Sequence, residues 1–387
     1  CELICLWALS LLTACATSQS VTLLHYPEDT AAAENYRVAL VMVDTVGRED
    51  SASATVFEGQ LQHYSPEQLG EAYFIHPDGV ASFIREASYN QVGLYGTVVG
   101  WYEVIGESFT AQEMVQDRNR FFSLSEDQLD FEDYDIFVLV GLTEEGGINL
   151  GWQMVNSIQL EDQLIENIGI DFMINSAFLT PAGNAYSDSL ILPSTSWAHE
   201  LIHTLGLVGH ANSLWCGDET GHETLGVTCE QRSYGGVFNL MGENAYATHP
   251  DVGMKVRLGW LSTEQIFTID LSEPFDAAEF TIYPLELDDG REKGINILLP
   301  EPVEVAGIAL DRMLIEYRRP IGFDRYLSRL DGPDAPDGGE FLGRYTSLPE
   351  IDSDGVLIYL DNISALGDTT YLLDMNPATP FNSERGI

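Results

Sequence analysis

The sequence predicts an α+β fold, in which an α/β-type N-terminal half is followed by a β-sandwich-like domain. Two apolar runs in the first half, Val38–Val43 and Asp133–Val140, have the length of a buried strand, and a helical pattern lies between them. After Thr263, turn residues separate short β-favouring runs. These runs are Phe280–Tyr283, Ile295–Leu299, Met313–Arg318, Val356–Leu360 and Thr370–Leu373.

Three segments of the N-terminal half give more local expectations. Asp78 precedes the helical pattern and is expected to cap the helix, whose apolar positions are Val80, Phe83 and Ile84. Gln91–Ile105 is rich in Val, Tyr and Trp, and we expect two strands that turn near Gly96 or Gly100. Residues 16–35 are mostly small and polar, and we expect a tether there.

The charge of the chain is strongly negative. There are 61 acidic and 17 basic residues, for a net charge of −44. This surface would repel nucleic acid, so nucleic-acid binding is excluded as a function. The acidity is interpreted as a solvated surface suited to salty water. The alternative is Ca²⁺ binding by clustered carboxylates, but Asp352-Ser353-Asp354-Gly355 has only the start of a calcium loop.

The N-terminal segment predicts export. Residues 3–14 form an apolar run that is too short to span a bilayer and has the length of a signal-peptide core. The run ends in Leu12-Thr13-Ala14-Cys15, which resembles a bacterial lipobox. The resemblance implies cleavage before Cys15 and attachment of lipid to its thiol. The alternative is a plain secretory signal with an incidental cysteine. The first residue is Cys and a basic leader is missing, so we expect a truncated start.

The use of cysteine agrees with export. Cys1 and Cys5 lie in the segment that would be removed, and Cys15 would carry the lipid. The other two cysteines, Cys216 and Cys229, are expected to form a disulfide in an oxidising compartment. Closing this short loop would contribute roughly 3 kcal/mol. Two free thiols or a second metal site are the alternatives, although the close cysteine spacing of zinc clusters is missing.

The strongest motif is His199-Glu200-x-x-His203-x-x-Gly206-x-x-His210. His199 and His203 are four residues apart, so on a helix they lie on one face and can reach one ion at about 2.0–2.1 Å. Gly206 is expected to end the helix in the left-handed conformation and to redirect the chain, so that His210 becomes a third ligand. Three protein ligands leave one position open, which is typical of a catalytic zinc site.

The neighbouring residues of the motif have expected roles as well. Ser194 or Thr195 is the expected N-cap of the helix. The core-facing residues are expected to be Trp197, Leu201 and Leu205. Zinc lowers the pKa of bound water to about 7, so Glu200 is expected to take its proton as the general base and to pass it to the leaving amine.

A second motif, Tyr234–Gly242 (YGGVFNLMG), resembles the tight turn that places a methionine, here Met241, beneath the metal of metzincins. Together with HELIHTLGLVGHANSLWC, Cys229 and Arg257–Leu261, it resembles the gametolysin-type metzincins and, more distantly, secreted peptidases of the immune-inhibitor-A type. The resemblance implies a catalytic domain with an α/β-type first half, a helical second half and a cleft between them. It also implies that substrate lies extended along an edge strand.

Some positions depart from the family or carry no motif. Certain metzincins have a zinc-binding tyrosine two residues after the methionine, but this chain has Glu243, so no tyrosine ligand is expected. Outside the segment that would be removed, no cysteine except Cys15 precedes the motif, which argues against latency through a pro-segment cysteine. His222 and His249 are interpreted as surface loop residues. Glu316–Arg319 is interpreted as a strand with an ion pair to the acidic surface.

These observations predict an exported zinc endopeptidase, lipid-anchored at the outer membrane, the cell surface or in the periplasm, or secreted. Its expected partner is a protein or peptide substrate, with basic or neutral sequences favoured by the negative field. The alternative is an inactive adhesin or binding protein on a metzincin scaffold, and a zinc hydrolase with another substrate is a third hypothesis. The expected parts are a lipoprotein-type signal peptide (1–14), a tether (15–35), a metzincin catalytic domain (36–262) and a β-rich domain (263–387).

Overall fold

The structure is a computed structural model. It describes residues 21–28, 30–45, 62–63, 65–104, 109–143, 149–153, 157–160, 163–174, 178–179, 191–206, 208–218, 221–223, 225, 228–236, 238–242, 248–275, 277–329, 354–362 and 369–373. The expectations for the signal peptide, for Cys15 as lipid anchor, for Glu243 and for the first half of the incomplete calcium loop lie outside the described residues.

The N-terminal half is built on a mixed six-stranded sheet in the order β1-β4-β2-β5-β9-β6. The four central strands are parallel, and the edge strands β1 and β6 are antiparallel to their neighbours. The strands are β1 (Thr22–Tyr26), β2 (Glu34–Asp44), β4 (Val92–Glu103), β5 (Ile136–Leu142), β6 (Asn149–Gln153) and β9 (Gly169–Ile174). Two short pairs form separate two-stranded sheets: β3 (Gln62–His63) with β10 (Phe178–Leu179), and β7 (Ser157–Gln159) with β8 (Leu164–Glu166).

Helices cover both faces of this first sheet. They are α1 (Pro66–Gly70), α2 (Val80–Ala87), α3 (Ala111–Gln116), α4 (Arg118–Ser123) and α5 (Ile191–Gly206), with a π-helical turn at Glu71–Ile75 and a 3₁₀ turn at Phe131–Asp133. Leu40 and Met42 of β2 belong to the core that contains residues of α2 and α5. Val41 and Val43 belong to the opposite core, with α3 and α4. Both faces of β2 are therefore buried, which explains its uninterrupted apolar run.

The strand pair expected in residues 91–105 is wrong, because Val92–Glu103 forms one continuous strand. Gly96 and Gly100 do not turn the chain. They permit close contact between strands, since a Cβ atom on Gly96 would lie 1.8 Å from the carbonyl oxygen of Val38 and one on Gly100 would lie 2.5 Å from that of Met42. The two glycines do mark an unusual stretch of backbone, but what they permit is the close packing of neighbouring strands and not a turn.

The tether is also wrong for its second half. Thr22–Tyr26 lies inside the predicted tether and pairs with β4 in antiparallel register, and β2 already begins at Glu34. Alternating side chains of β1 are partly buried, and Tyr26 stacks on Phe74. The segment thus covers what would otherwise be an open edge of the first sheet.

The expected helix at Val80 is confirmed, but Asp78 does not cap it. The N-cap is Gly79, which has no side chain to accept a hydrogen bond. The Asp78 carboxylate instead pairs with the guanidinium of Arg325, from a 3₁₀ helix at Gly322–Arg329. Asp78 therefore forms a long-range ion pair instead of the helix cap that the local sequence pattern predicts.

The described strands after α5 form a second sheet in the order β12-β11-β18-β17-β16-β15-β14, with β13 paired to β11. Its strands are β11 (Ala211–Asp218), β12 (Gly221–Glu223), β13 (Cys229–Arg232), β14 (Ile266–Asp270), β15 (Gly294–Val305), β16 (Ile308–Arg318), β17 (Gly355–Asp361) and β18 (Thr370–Leu373). Four of the five predicted β runs after residue 263 are confirmed, and Phe280–Tyr283 is not a strand.

The two sides of the predicted boundary at residue 262 share this second sheet. Strand β11 lies before the boundary and pairs in parallel with β18, near the end of the described chain. All described strands after residue 263 belong to the same sheet. A last helix, α6 (Val252–Arg257), packs against β16, and a 3₁₀ turn at Thr263–Gln265 leads into β14.

The α+β class is confirmed, since the chain mixes helices with a larger share of strands. No helix in the described ranges is long and apolar enough to cross a membrane.

Candidate metal centre

The helix α5 carries the first two histidines of the motif, and its other side is buried against the first sheet. Trp197 and Leu201 are buried and Leu205 is partly buried against the same core, as predicted. The helix begins at Ile191, so Ser194 and Thr195 lie inside it and the expected N-cap is wrong. Pro193 falls in the first turn, where a missing N–H breaks no helical hydrogen bond, so it does not delay the start of the helix.

Gly206 ends the described helix, as predicted, but for a different reason. Its φ lies outside the left-handed range. A Cβ atom at this position would lie 2.4 Å from Cδ2 of Leu258, directly after α6. Gly206 therefore packs directly against the Leu258 side chain where two helix ends approach each other, and the left-handed cap expected from the sequence is wrong.

The structure brings His199, His203 and His210 together. One ring nitrogen from each lies within 4.8 Å of the other two. The Nε2 atoms of His203 and His210 are 3.1 Å apart. His203 is buried and the other two are partly buried. Among the described residues, this is the group of His, Cys, Asp or Glu side chains that could hold a metal ion.

Two of these rings are oriented by backbone carbonyls. Nδ1 of His199 lies 2.8 Å from the carbonyl oxygen of Leu240, and Nδ1 of His203 lies 2.6 Å from that of Val208. A carbonyl only accepts, so each Nδ1 carries the proton and each Nε2 keeps its lone pair. This arrangement is typical of histidines that bind a metal through Nε2.

The environment keeps the imidazoles uncharged. Burial lowers the pKa of His199 to about 4. Burial, and then the neighbouring His199, lowers the pKa of His203 to about 3. Burial also lowers the pKa of His210. Neutral imidazole is the form that binds a metal, so no proton must be displaced from these rings near neutral pH.

Glu200 is the acidic residue of the centre. Burial, and then the charge of Asp171, raises the pKa of Glu200 to about 8. Asp171 lies on β9, is fully buried, and accepts a hydrogen bond of 2.7 Å from Oγ1 of Thr204 on α5. Burial raises the pKa of Asp171 to about 7. Glu200 and Thr204 each follow one of the first two histidines by one residue. On the side of α5 that carries Thr204, the helix meets the buried carboxyl group of Asp171.

The predicted methionine turn lies at the centre. Met241 is fully buried, and its N–H donates to Oδ1 of Asn239 at 2.9 Å. The carbonyl of Met241 accepts from the N–H of Ala211, directly after His210, at 2.8 Å. The carbonyl of Leu240 accepts from His199. The turn thus contacts the chain at both the first and the third histidine.

Tyr234 belongs to the centre, although the sequence reasoning gave it no role. Its ring centroid lies 4.0 Å from that of His210 and 6.2 Å from that of His199. Its φ is +59°, and its N–H donates to Oδ1 of Asn212 at 2.9 Å. The sequence feature that could have indicated a role for Tyr234 is the Gly235-Gly236 pair that follows it. Gly235 permits close packing, since a Cβ atom there would lie 2.1 Å from Oγ of Ser213. Burial and the charge of Glu200 raise the pKa of the Tyr234 phenol.

Cys216 and Cys229 form a disulfide between β11 and β13, with their Cα atoms 4.0 Å apart. His222 lies in β12, so its assignment to a loop is wrong. His249 is fully buried, so its assignment to the surface is also wrong: its Nε2 lies 3.1 Å from Oε1 of Glu86.

The ion pair expected near residue 316 exists, but it is not on the surface. Glu316 and Arg318 are both buried, and the Arg318 guanidinium contacts Glu316 at 2.7 Å and Asp324 at 2.5 Å. A buried guanidinium needs such partners, because each charge would otherwise lose its hydration without compensation. The surface interpretation failed because the alternating pattern of a strand does not show which face is covered.

Comparison of the sequence with protein-family models gives no match, and comparison with curated proteins gives none either. The likeness to gametolysin-type metzincins therefore rests on the sequence motifs between His199 and Leu261 alone.

Proposed function

We propose that this protein is a zinc-dependent endopeptidase of the metzincin type. The observation that supports this most directly is the combination of three neutral histidines around one point with a partly buried glutamate next to the first of them in the sequence. Two of the histidines are oriented through Nδ1 by backbone carbonyls. A cluster that formed only by hydrophobic packing would not require this orientation.

Zinc suits the donor set. Three imidazole nitrogens with no thiolate, and with the remaining position open, are the ligands of catalytic zinc sites. Bound zinc would supply a Lewis acid that acidifies water and polarises a carbonyl group. His199, His203 and His210 would hold it.

Proton transfer and stabilisation of the developing charge are assigned to residues of the chain itself. Glu200 accepts the proton of the attacking water and transfers it to the nitrogen of the leaving peptide, which is general acid–base catalysis. The positive charge of bound zinc would favour the ionised carboxylate that this role needs, against the raised pKa of the metal-free site. Tyr234, with its phenol protonated, donates a hydrogen bond to the carbonyl oxygen as negative charge develops there. Its left-handed backbone and the close-packed glycine after it fix the ring beside His210.

The first sheet offers a place for the substrate backbone. Strand β6 is the edge of that sheet, and α5 packs against it. Within the described part of the chain, β6 has β9 as its one strand partner, so its outer edge is free to pair with an extended peptide. We propose that the peptide lies along β6.

We propose that the protein is exported, with Cys15 as the lipid anchor. The apolar run that ends in Leu-Thr-Ala-Cys supports export. The Cys216–Cys229 disulfide is consistent with it, since such bonds persist in oxidising compartments.

The experiment is cleavage of casein by the purified protein and by the Glu200→Gln variant, with zinc measured in both. The wild type is expected to bind one zinc and to cleave, and the variant to bind one zinc and to lose activity about 10²–10⁴-fold. If both hold zinc and neither cleaves casein or a mixed peptide library, the protein is a binding protein on this scaffold and the peptidase proposal is wrong.

A further inference from the structure

A chain of buried hydrogen bonds connects the metal ligand His199 with the C-terminal strand of the described structure. It begins at the carbonyl of Leu240, which accepts from Nδ1 of His199 at 2.8 Å. The conformation of that carbonyl is set by Asn239, whose Oδ1 accepts from the N–H of Met241 at 2.9 Å. The side chain of Asn239 thus closes the turn that presents the carbonyl to the histidine.

The other end of the Asn239 amide leads into the second sheet. Its Nδ2 donates to Oδ2 of Asp251 at 2.7 Å, and the same oxygen accepts from Oγ1 of Thr370 on β18 at 2.6 Å. The other oxygen of Asp251 accepts from the N–H of Met254 at 2.9 Å. Asn239, Asp251 and Thr370 are all fully buried, so water does not compete for these bonds.

A second contact holds the same turn from β16. Nη2 of Arg318 donates to the carbonyl of Phe238 at 3.1 Å and to that of His249 at 2.7 Å. The turn is therefore fixed on one side by Asp251 and Thr370 and on the other by Arg318. Both attachments come from residues outside the turn: Asp251 lies nine positions after Gly242 (251 − 242), and Arg318 and Thr370 lie farther along the chain.

We propose that Asn239, Asp251 and Thr370 are positioning residues for the metal ligand His199, and that metal binding and the docking of β18 stabilise each other. The effect must be reciprocal, because a coupling free energy between two sites acts equally in both directions. The inference rests on the metal site of the proposed function and does not depend on which bond the enzyme cleaves.

Single and exchanged substitutions test the network. In Asn239→Asp, a carboxylate oxygen replaces the donor Nδ2 and faces the Asp251 carboxylate, so two acceptors meet. In Asp251→Asn, the new amide nitrogen faces either Nδ2 of Asn239 or the N–H of Met254, so two donors meet in either orientation. The double exchange restores one donor and one acceptor with reversed direction, and Thr370 can then accept at its hydroxyl. The readout is the dissociation constant of Zn²⁺, measured by competition with a chromogenic chelator. Each single variant is expected to bind zinc roughly 10–100-fold more weakly, and the exchange is expected to recover most of this loss.

Thr370→Val and Thr97→Val form a matched pair. Thr97 is also a fully buried threonine in a strand. It lies on β4, next to the edge strand β1 of the first sheet, and its Oγ1 accepts a hydrogen bond of 2.8 Å from the Tyr134 hydroxyl. Both variants lose a buried hydroxyl and stability, but only Thr370→Val is expected to weaken zinc binding. Hydrogen exchange of the β18 amides is expected to slow when zinc is added to the wild type.

The outcomes separate this inference from the proposed function. If the wild type does not bind zinc, the proposed function fails first. If the wild type binds zinc, the positioning role is refuted by single variants with unchanged zinc affinity, by an exchange variant no better than the singles, or by a Thr97→Val variant that weakens zinc as much as Thr370→Val does.

Discussion

The two sheets of this protein bury different chemistry. The cores on both faces of the first sheet are composed of apolar side chains from strands and covering helices. The second sheet encloses charged groups, with Arg318, Glu316, Asp324 and Lys255 all buried. The first sheet places helix α5 and its histidines, and the second sheet holds the turn that orients one of them. The difference indicates that a hydrophobic layer positions the helix, while a buried polar network sets the direction of a ligand.

The largest expected effect is on the polar network of the second sheet. Arg318→Met removes the guanidinium and leaves Glu316 and Asp324 without their partner, which costs about 3–5 kcal/mol of unfolding free energy. Because Arg318 also holds the carbonyl of Phe238, zinc affinity is expected to fall as well. Chemical denaturation of the metal-free protein measures the loss of unfolding free energy. Competition with a chelator measures the loss of zinc affinity. A stable variant with normal zinc affinity would show that the network has neither role.

The contrasting change is in the apolar core of the first sheet, on the face opposite α5. Leu139 is fully buried there, and Leu139→Ala is expected to cost about 2–5 kcal/mol through lost burial and a cavity. Its zinc dissociation constant, measured at a temperature where the variant is folded, is expected to equal that of the wild type. A drop in zinc affinity as large as in Arg318→Met would remove the distinction between the two sheets.

The next prediction concerns Tyr234, which is the first residue of the methionine turn and follows β13. Tyr234→Phe keeps the ring against His210 and removes the hydroxyl. The turnover number is expected to fall on the order of 100-fold, with KM and zinc affinity unchanged, since the hydroxyl acts only on developing charge. Steady-state kinetics on a peptide substrate measure this. An increase in KM alone would assign Tyr234 to substrate binding.

The smallest effect tests one of the buried carboxyl groups in the first sheet, that of Asp171. Its pKa is raised to about 7, so the folded chain keeps a proton that the unfolded chain loses above its ordinary value of 3.8. Stability from this group is complete below that value and is lost as the pH rises through about 7. Asp171→Asn cannot titrate. Its stability relative to wild type is therefore expected to improve between pH 5 and pH 8 by on the order of 2 kcal/mol.

Denaturation at both pH values in the presence of a chelator measures this difference. The lowered pKa values of the histidines affect both proteins equally, so they cancel in the comparison. Loss of the Asp171 charge also lowers the pKa of Glu200 in the variant, which improves its relative stability at high pH in the same direction. A stability difference that does not change with pH would show that Asp171 is ionised in the folded chain over the whole range.

The features predicted correctly from the sequence are those that depend on spacing along the chain. The run at Val38–Val43 identified a strand buried on both faces, and the spacing of His199, His203 and His210 identified the cluster. The reason for Gly206 could not be predicted, because it is the close approach of Leu258, which is 52 residues away (258 − 206).

Other features depend on contacts between distant segments. Asp251 and Thr370 are separated by 119 residues, and no local pattern links either to the methionine turn. The same holds for Asp78, which pairs with Arg325 instead of capping a helix. The tether was mistaken for a similar reason, since the strand at Thr22–Tyr26 is stabilised by pairing with β4 and its own sequence carries little signal.

The most direct test of the central claim is the zinc content and zinc affinity of the purified protein beside a His210→Ala variant. One zinc per chain is expected in the wild type and a loss of tight binding in the variant, since the third ligand is gone while α5 with His199 and His203 is intact. A wild type that binds no zinc, or a variant that binds it as tightly as the wild type, would contradict the assignment of these three histidines as the metal site.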